Sequence, residues 1–445
     1  MGLSTPEKIR QLQRKLYLKA KQEPKFRFYA LYDKLYRQDI LLHAYRLVRA
    51  NQGSPGIDGV SFSAIESREG VSEFLAGLEE ELREKTYQPS PIKRVWIPKA
   101  NGKQRPLGLI TIRDRVAQQA LKLVIEPIFE ADLGKDTYGF RPRRSAHDAV
   151  DAIASTMIRG KTEVIDADLN QYFDTIPHAN LMKAVAQRIS DGQVLHLLKS
   201  WLKVPIIEVD KKGKRRNVGG GKKNRYGTAQ GSILSPLLAN VYLNILVRIW
   251  EKHELEKALG ARLVVYADDF VILCSQGTEG PLGVVKQVLE RLELTLNVEK
   301  TRIVNSYQES FDFLGFEIRM RKSFSSGKYY PHVQPARKSI RKIKQALSEI
   351  TDRKRTMIPL KEVMAQTNHK LRGWSGYFHY RNCSNTMASI KFHAEERLRI
   401  HLRKRHKIKT WQEGYQKFPN QVLYKLCGLY KLPTSAPWKK AHALR

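Results

Sequence analysis

The adjacent carboxylates Asp268 and Asp269 are the side chains whose type and spacing most clearly predict chemistry. They interrupt an apolar segment, residues 263–273, which reads LVVYADDFVIL and predicts two strands joined at the acidic pair. Neighbouring carboxylates repel each other, and their burial in a sheet is costly unless a cation lies beside them. Asp supplies the hard oxygen ligands that Mg²⁺ binds. A magnesium site is therefore one interpretation, and an Asp-rich hairpin turn is the other.

A second acidic segment favours the metal site. Residues 163–174 read EVIDADLNQYFD, so an apolar strand runs into Asp168 and brings a carboxylate from a different strand. Carboxylates gathered in this way can hold two ions about 3.5–4 Å apart, an arrangement suited to phosphoryl transfer. Asp166 shares a strand face with Asp168, so spacing alone does not choose between them, and Asp174 is also explained as a local cap.

The elements that must position these side chains follow from the pattern along the chain. Residues 94–110 predict a β-hairpin with its tip at Asn101-Gly102, and a long helix is expected over 113–129. Strand-like and helical runs then alternate to about 315, which predicts an α+β core with a mostly antiparallel sheet. Residues 210–225 hold eight Lys or Arg and three consecutive glycines, and we expect a mobile basic loop there.

The charge of the chain indicates a polyanionic partner. Its 445 residues carry a formal net charge of +35. Residues 335–445, which read as helical, contain 26 Lys or Arg against 6 Asp or Glu and predict a separate domain for phosphate contact. Ribosomal proteins are usually shorter, and a membrane-surface protein would concentrate its charge on one amphipathic helix, so both alternatives fit less well.

Cysteine usage and hydropathy indicate a cytoplasmic location on nucleic acid. The three cysteines lie far apart and form neither a disulfide framework nor a zinc motif. No signal peptide is recognisable at the N-terminus, and no apolar run approaches the roughly 18 residues that a membrane span needs.

Several blocks resemble the reverse transcriptases encoded by group II introns. YADD at 266–269 resembles the YxDD box of reverse transcriptases, and DLNQYF at 168–173 resembles their DxxxxF box, which selects Asp168 over Asp166 as the first metal ligand. Further blocks follow the order of the family. They are YGFRPRRSAHDAV at 138–150, QGSILSPLLAN at 230–240, FLGF at 313–316 and GWSGYF at 373–378.

The resemblance implies a right-hand polymerase of the α+β class. Residues 1–90 would form a basic helical extension and the start of the fingers. Residues 91–330 would form the fingers and palm, an antiparallel sheet flanked by helices. Residues 331–445 would form an all-helical thumb or maturase (X) domain. The endonuclease with His and paired Cys ligands found in many relatives is not expected, and Ala229 replaces a common Pro.

The family implies an RNA-directed DNA polymerase that also assists splicing and mobility of its parent intron. Asp168, Asp268 and Asp269 would be the catalytic residues and would hold two Mg²⁺ ions, with Mn²⁺ as a substitute. The expected partners are group II intron RNA, an RNA template with a DNA primer, target DNA and dNTPs, but no membrane. Two alternatives share these residues: a domesticated relative in phage defence or CRISPR spacer acquisition, and a splicing factor that only binds RNA.

Five side chains are expected around the nucleotide. Lys99 and Arg105 lie on the arms of the predicted hairpin, where the fingers of the family cover the triphosphate, and Gln230 would hydrogen-bond the nucleotide. Phe173 would exclude a 2′-hydroxyl, and Lys300 matches a lysine of the family near the active site. Taken alone, these residues are also explained as surface charges, a turn glutamine and a core aromatic.

Contacts to RNA are expected from basic side chains interleaved with aromatic ones, because such surfaces bind structured RNA by charge and stacking. Many of the aromatic residues will nevertheless be core, and binding should weaken steeply with salt. The residues chosen are Arg141, Arg143, Arg144, Lys211, Arg215, Lys222, Arg372, Trp374, Tyr377, Arg403, Lys404 and Arg405.

Overall fold

A computed structural model describes residues 3–98, 104–210 and 212–437 of the chain. The chain divides into two compact units, Met1–Ala149 with Ala167–Thr301 and Val150–Asp166 with Arg302–Arg445. The helices and strands up to residue 158 are α1 (Glu7–Gln22), α2 (Tyr32–Leu35), α3 (Gln38–Ala50), α4 (Phe62–Ala64), a π-helical turn (Ile65–Glu69), α5 (Val71–Arg83), β1 (Ile92–Pro98), β2 (Gln104–Leu109), α6 (Ile112–Glu130) and α7 (Ala146–Ile158).

The middle of the chain supplies most of the elements near the acidic residues. These elements are β3 (Glu163–Asp168), α8 (Tyr172–Thr175), α9 (His178–Ala186), α10 (Gly192–Leu202), β4 (Ile206–Val209), β5 (Arg215–Gly219), α11 (Ser235–Lys252), α12 (Leu255–Ala258), β6 (Ala261–Tyr266), β7 (Asp269–Cys274) and α13 (Glu279–Arg291).

The first unit packs around buried helices. Helix α6 begins where the Thr111 side chain accepts a hydrogen bond from the Asp114 amide at 3.1 Å, a standard N-cap that supports the predicted helix. Helix α11 buries most of its length, because its apolar residues surround the helix instead of following one stripe.

A four-stranded sheet in the first unit has the order β2-β1-β4-β5. β1 and β2 form the predicted antiparallel hairpin, with Pro98 opposite Gln104, although its tip lies outside the described residues. β4 lies parallel to β1, and β5 lies antiparallel to β4. The expectation of a loop throughout 210–225 is therefore wrong, since 215–219 complete the sheet as an edge strand whose charged side chains face solvent.

The second unit combines strands with a helical C-terminal region. The start of β3 pairs antiparallel with β8, and β9, β10 and β11 form an antiparallel sheet. Its elements after residue 301 are β8 (Arg302–Asn305), β9 (Phe311–Phe313), β10 (Phe316–Lys322), β11 (Tyr329–Pro335), α14 (Arg337–Ile350), a 3₁₀ turn (Arg353–Arg355), α15 (Leu360–Phe378), α16 (Ser384–Arg405), α17 (Trp411–Lys417) and α18 (Asn420–Lys425).

One apolar core joins the C-terminal helices. Leu347, Leu371, Ile390 and Leu398 lie in it with no measurable exposure. The predicted α+β class with antiparallel strands and a helical C-terminal region is confirmed. None of the helices in the described ranges is long and apolar enough to cross a membrane.

Candidate active site

The β6–β7 hairpin positions Asp268 and Asp269. The strands pair from Ala261 opposite Cys274 to Tyr266 opposite Asp269, which leaves only Ala267 and Asp268 in the turn. Ala267 has a φ of 57°, the left-handed conformation that tight hairpin turns require. The buried strands therefore hold one carboxylate in the turn and the next at the start of β7.

Gly139 packs directly against this turn. A Cβ atom at Gly139 would lie 2.5 Å from the Ala267 nitrogen, so only glycine fits without displacing the turn. The Asn240 side-chain amide donates to the Gly139 carbonyl at 2.7 Å, and the Tyr138 amide donates to Val265 O at 2.9 Å. The GFRP block thus supports the acidic turn, a role that the sequence interpretation missed.

Asp168 at the end of β3 meets the acidic pair from a second strand. Its carboxylate lies beside that of Asp269 and raises the pKa of that group. Its backbone carbonyl accepts from the Asn297 amide at 2.8 Å, and the Lys300 Nζ lies 2.6 Å from its Oδ2. The structure therefore brings together the three predicted carboxylates and Lys300, while Asp166 pairs with Arg302 at 3.3 Å.

Burial and the neighbouring carboxylates raise the pKa values of Asp268 and Asp269. The pKa of Asp269 is raised to about 7, mainly because its carboxylate loses contact with water. Repulsion from Asp268 and Asp168 and the interaction with the Asp168 carboxylate add to this shift, although part of the Asp269 residue remains exposed. Burial and the charge of Asp168 also raise the pKa of Asp268, while Lys300 and Arg105 oppose this change. Negative charge thus accumulates here beyond what the neighbouring cations offset.

This donor set fits divalent magnesium. Three short carboxylates, one at the end of β3 and two on the β6–β7 hairpin, offer only oxygen ligands. A cation would relieve the repulsion that raises the pKa values of Asp268 and Asp269. Within the described part of the chain, no three His, Cys, Asp or Glu side chains already stand in a ligating arrangement. The carboxylates would therefore adjust around an ion, with the Lys300 ammonium moving aside.

A chain of hydrogen bonds links two of the predicted nucleotide-contact residues, Arg105 and Gln230, to Asp174. The Arg105 Nε donates to Gln230 Oε1 at 3.0 Å, and Gln230 Nε2 donates to Asp174 Oδ2 at 2.9 Å. Gln230 also accepts from the Gly108 amide at 2.7 Å through its backbone carbonyl. Asp174, interpreted from sequence as a local cap, instead ends this chain. Lys99 lies outside the described residues.

Phe173 lies near these groups and is half-buried. Its ring meets Phe140 edge-on at 6.5 Å and Tyr172 at 5.7 Å between centroids. Tyr172 is fully buried and donates to the Ala239 carbonyl at 2.6 Å. Tyr172 thus takes the core position, whereas the neighbouring Phe173 keeps part of its surface accessible.

The predicted RNA contacts divide by exposure. Arg141 is buried, and its guanidinium binds Glu130 at 2.6 Å and the Thr137 carbonyl at 2.8 Å, so it anchors its own segment. Arg403 is also buried, stacks on Trp411 at 4.2 Å and donates to Lys409 O.

Two other predicted contacts already have partners, because Arg405 donates to two carbonyls and the Tyr377 hydroxyl donates to Leu314 O. Trp374 is half-buried, and Lys211 lies outside the described residues. The predicted contacts that remain exposed are Arg143, Arg144, Arg215, Lys222, Arg372 and Lys404.

Comparison with known proteins identifies the family. The reverse transcriptase (RNA-dependent DNA polymerase) family matches residues 97–318, and the maturase-specific domain of group II introns matches residues 340–418. The fold and the acidic turn thus define a reverse transcriptase.

Two curated relatives extend the match beyond single domains. Protein YkfC of Escherichia coli K12 is 35% identical over 71% of this chain and 89% of its own length. Group II intron-encoded protein LtrA of Lactococcus lactis subsp. cremoris is 29% identical over 66% of this chain, which spans 57% of LtrA. The chain belongs to the group II intron-encoded reverse transcriptases and maturases, and it is an RNA-directed DNA polymerase with a maturase domain.

Among solved structures, apo telomerase from Candida tropicalis aligns with a TM-score of 0.40 and 16% identity, over 54% of this chain and 57% of that one.

Proposed function

We propose that this chain copies RNA into DNA at the meeting point of Asp168, Asp268 and Asp269, with these three carboxylates as ligands of two Mg²⁺ ions. The contact between the Asp168 and Asp269 carboxylates carries the proposal, because it joins acids that are far apart in sequence. When bound, the ions would lower the pKa of the primer 3′-hydroxyl and neutralise charge on the leaving pyrophosphate.

The remaining groups of the site position the nucleotide. Arg105 would turn from Gln230 toward the triphosphate, since the hydrogen bond of 3.0 Å that links its guanidinium to Gln230 is exposed. Phe173 would lie under the sugar and exclude a ribonucleotide. Lys300 would exchange its ion pair with Asp168 for a phosphate oxygen.

The maturase-specific domain would bind the parent intron RNA and assist splicing and mobility. Residues 335–445 hold 20 more basic than acidic residues. Arg372 and Lys404 are exposed on its helices and would contact phosphates. Template RNA with a DNA primer, and target DNA, would be further ligands of the same chain.

Primer extension on an RNA template tests the active site, with Asp166→Asn as a control on the same strand as Asp168. Asp268→Asn should reduce the rate with dNTPs and Mg²⁺ by roughly 10³-fold, since stabilisation worth several kcal/mol is lost. Asp166→Asn should leave the rate within about twofold, because Asp166 pairs with the exposed Arg302 and is not one of the three proposed metal ligands. Normal synthesis by Asp268→Asn would overturn the assignment.

A further inference from the structure

An open groove of about 980 Å³ lies in the first unit between helices α9 and α10. Each helix contributes one stripe with helical spacing, Ala179, Met182 and Ala186 from α9 and Leu195 and Leu202 from α10. The segment Asn224 to Tyr226, which follows β5, forms a third wall. The groove therefore has an apolar floor and lies on a different set of residues from the acidic site.

Four cations surround this floor: Lys183, Lys199, Lys203 and Arg225. Among the residues that the structure describes, none of the four forms an ion pair, and Lys203 Nζ instead donates to the Lys222 carbonyl at 3.2 Å. Among the described residues that line the groove, Glu293 is the one with an acidic side chain. An excess of positive charge around a concave apolar surface attracts a polyanion.

Tyr226 supplies an aromatic surface within this ring of cations. Tyr226 is 51% exposed. Its backbone carbonyl accepts a hydrogen bond of 2.9 Å from the Asn224 side-chain amide. The backbone also bridges to Pro177. Because the backbone is fixed while the side chain stays accessible, the ring is available for stacking.

We propose that this groove binds an unpaired stretch of RNA, with a base stacked on Tyr226 and the flanking phosphates on the rim cations. Single strands are bound by aromatic platforms beside positive charge, which is the combination present here. An acidic peptide would use the cations but would leave the flat aromatic surface without a matching group. The proposal deepens the proposed function in that RNA is the ligand, but it does not depend on catalysis.

The groove also gives a role to the basic segment 210–225. Arg215 and Arg216 lie exposed on the edge strand β5, and Lys222 lies between that strand and the groove wall. This row of positive charge leads along the chain from the sheet edge to Tyr226. The segment would therefore guide an RNA backbone into the groove.

Photocrosslinking tests the inference. The probe is a fluorescein-labelled oligouridine of twelve nucleotides that contains 4-thiouridine, mixed with the full-length chain at about 0.3 M salt to suppress non-specific contacts. Crosslinks should map to α9, α10 or residues 222–226, and a duplex of the same sequence should crosslink much less. Crosslinks confined to other parts of the chain would overturn the proposal.

Matched variants separate stacking from charge. Tyr226→Ala should weaken oligonucleotide binding about tenfold, while Tyr226→Phe keeps the ring and should bind as the parent does. Lys199→Glu should weaken binding more than Lys252→Glu, an equal charge change outside the groove lining. Equal binding by Tyr226→Ala and the parent, or displacement of the probe by polyglutamate but not by unlabelled oligouridine, would contradict the proposal.

A last comparison distinguishes this groove from the polymerase site. Asp268→Asn should bind the probe with unchanged affinity, and Tyr226→Ala should extend a saturating primed template at the parent rate. If Asp268→Asn extends primers normally while Tyr226→Ala still binds the probe more weakly, the catalytic assignment is wrong and the RNA-binding groove is supported. Loss of the probe in Asp268→Asn would count against a separate groove.

Discussion

The Lys300 ammonium lies 2.6 Å from Asp168 Oδ2, so a cation belonging to the chain stands beside the three carboxylates that would hold metal. The hydrogen bond to Asp168 raises the pKa of Lys300, which keeps the ammonium charged at neutral pH. The side chain remains 63% exposed, and it can therefore leave without unpacking the core. A metal ion bound here would therefore compete with Lys300 for this oxygen.

We expect Lys300→Met to bind Mn²⁺ more tightly than the parent in the absence of nucleotide, by about three- to tenfold, because a competing cation and its repulsion are removed. Electron paramagnetic resonance of free Mn²⁺ measures this affinity directly. Lys286→Met, an exposed lysine on α13, is the control and should leave the affinity unchanged. Equal or weaker binding by Lys300→Met would show that Lys300 does not compete with metal.

The raised pKa of Asp269 predicts that the metal-free protein loses stability as pH rises from about 4 to about 7. Over this range the folded chain keeps a proton on the acidic cluster that the unfolded chain has released, so rising pH favours unfolding. In thermal unfolding with EDTA, the Tm should therefore fall as pH rises. This fall should be smaller in Asp269→Asn than in the parent. The test is how the difference in Tm between the two proteins changes with pH, because the contributions of titratable groups that both proteins share cancel in this difference. Parallel curves would contradict the coupling of these carboxylates.

Phe173→Val should increase incorporation of ribonucleotides relative to deoxyribonucleotides by about 10- to 100-fold, because a smaller side chain leaves room for the 2′-hydroxyl. The ratio of kcat/KM for the two nucleotides measures this discrimination. Phe392→Val, an exposed aromatic on α16, should not change the ratio. If Phe173→Val lost activity with both nucleotides equally, the ring would be a packing residue and not a sugar contact.

Local pattern predicted the strands around Asp268 and the helix now bounded as Ile112–Glu130, because strong apolar periodicity and an N-cap agree with the tertiary structure at these places. The strand β5 was missed. Its residues are charged and flanked by glycines, and they become a strand only because β4 offers an open edge. Such pairing between distant segments is not encoded in a local window.

Residue type pointed to the acidic pair and to an acid on a second strand, but the resemblance to the DxxxxF box was needed to choose Asp168 over Asp166. The groups that support these carboxylates could not be inferred. The contact of Gly139 with the turn and the chain from Arg105 through Gln230 to Asp174 depend on which backbones approach each other in space. The prediction that Arg141 contacts RNA met a related difficulty. Its position in a basic block favoured RNA contact, but its side chain is buried and forms an ion pair with Glu130.

Arg141 and Arg143 therefore predict opposite effects from the same substitution. Arg141→Met should reduce the free energy of unfolding by about 3–5 kcal/mol, because Glu130 and two carbonyls lose their buried donor. Arg143 is exposed, and Arg143→Met should change stability by less than about 0.5 kcal/mol while reducing the salt dependence of RNA binding by about one phosphate contact. Urea denaturation and RNA titrations over a range of salt separate the two effects. A stable Arg141→Met protein with weakened RNA binding would restore the interpretation that the sequence first favoured.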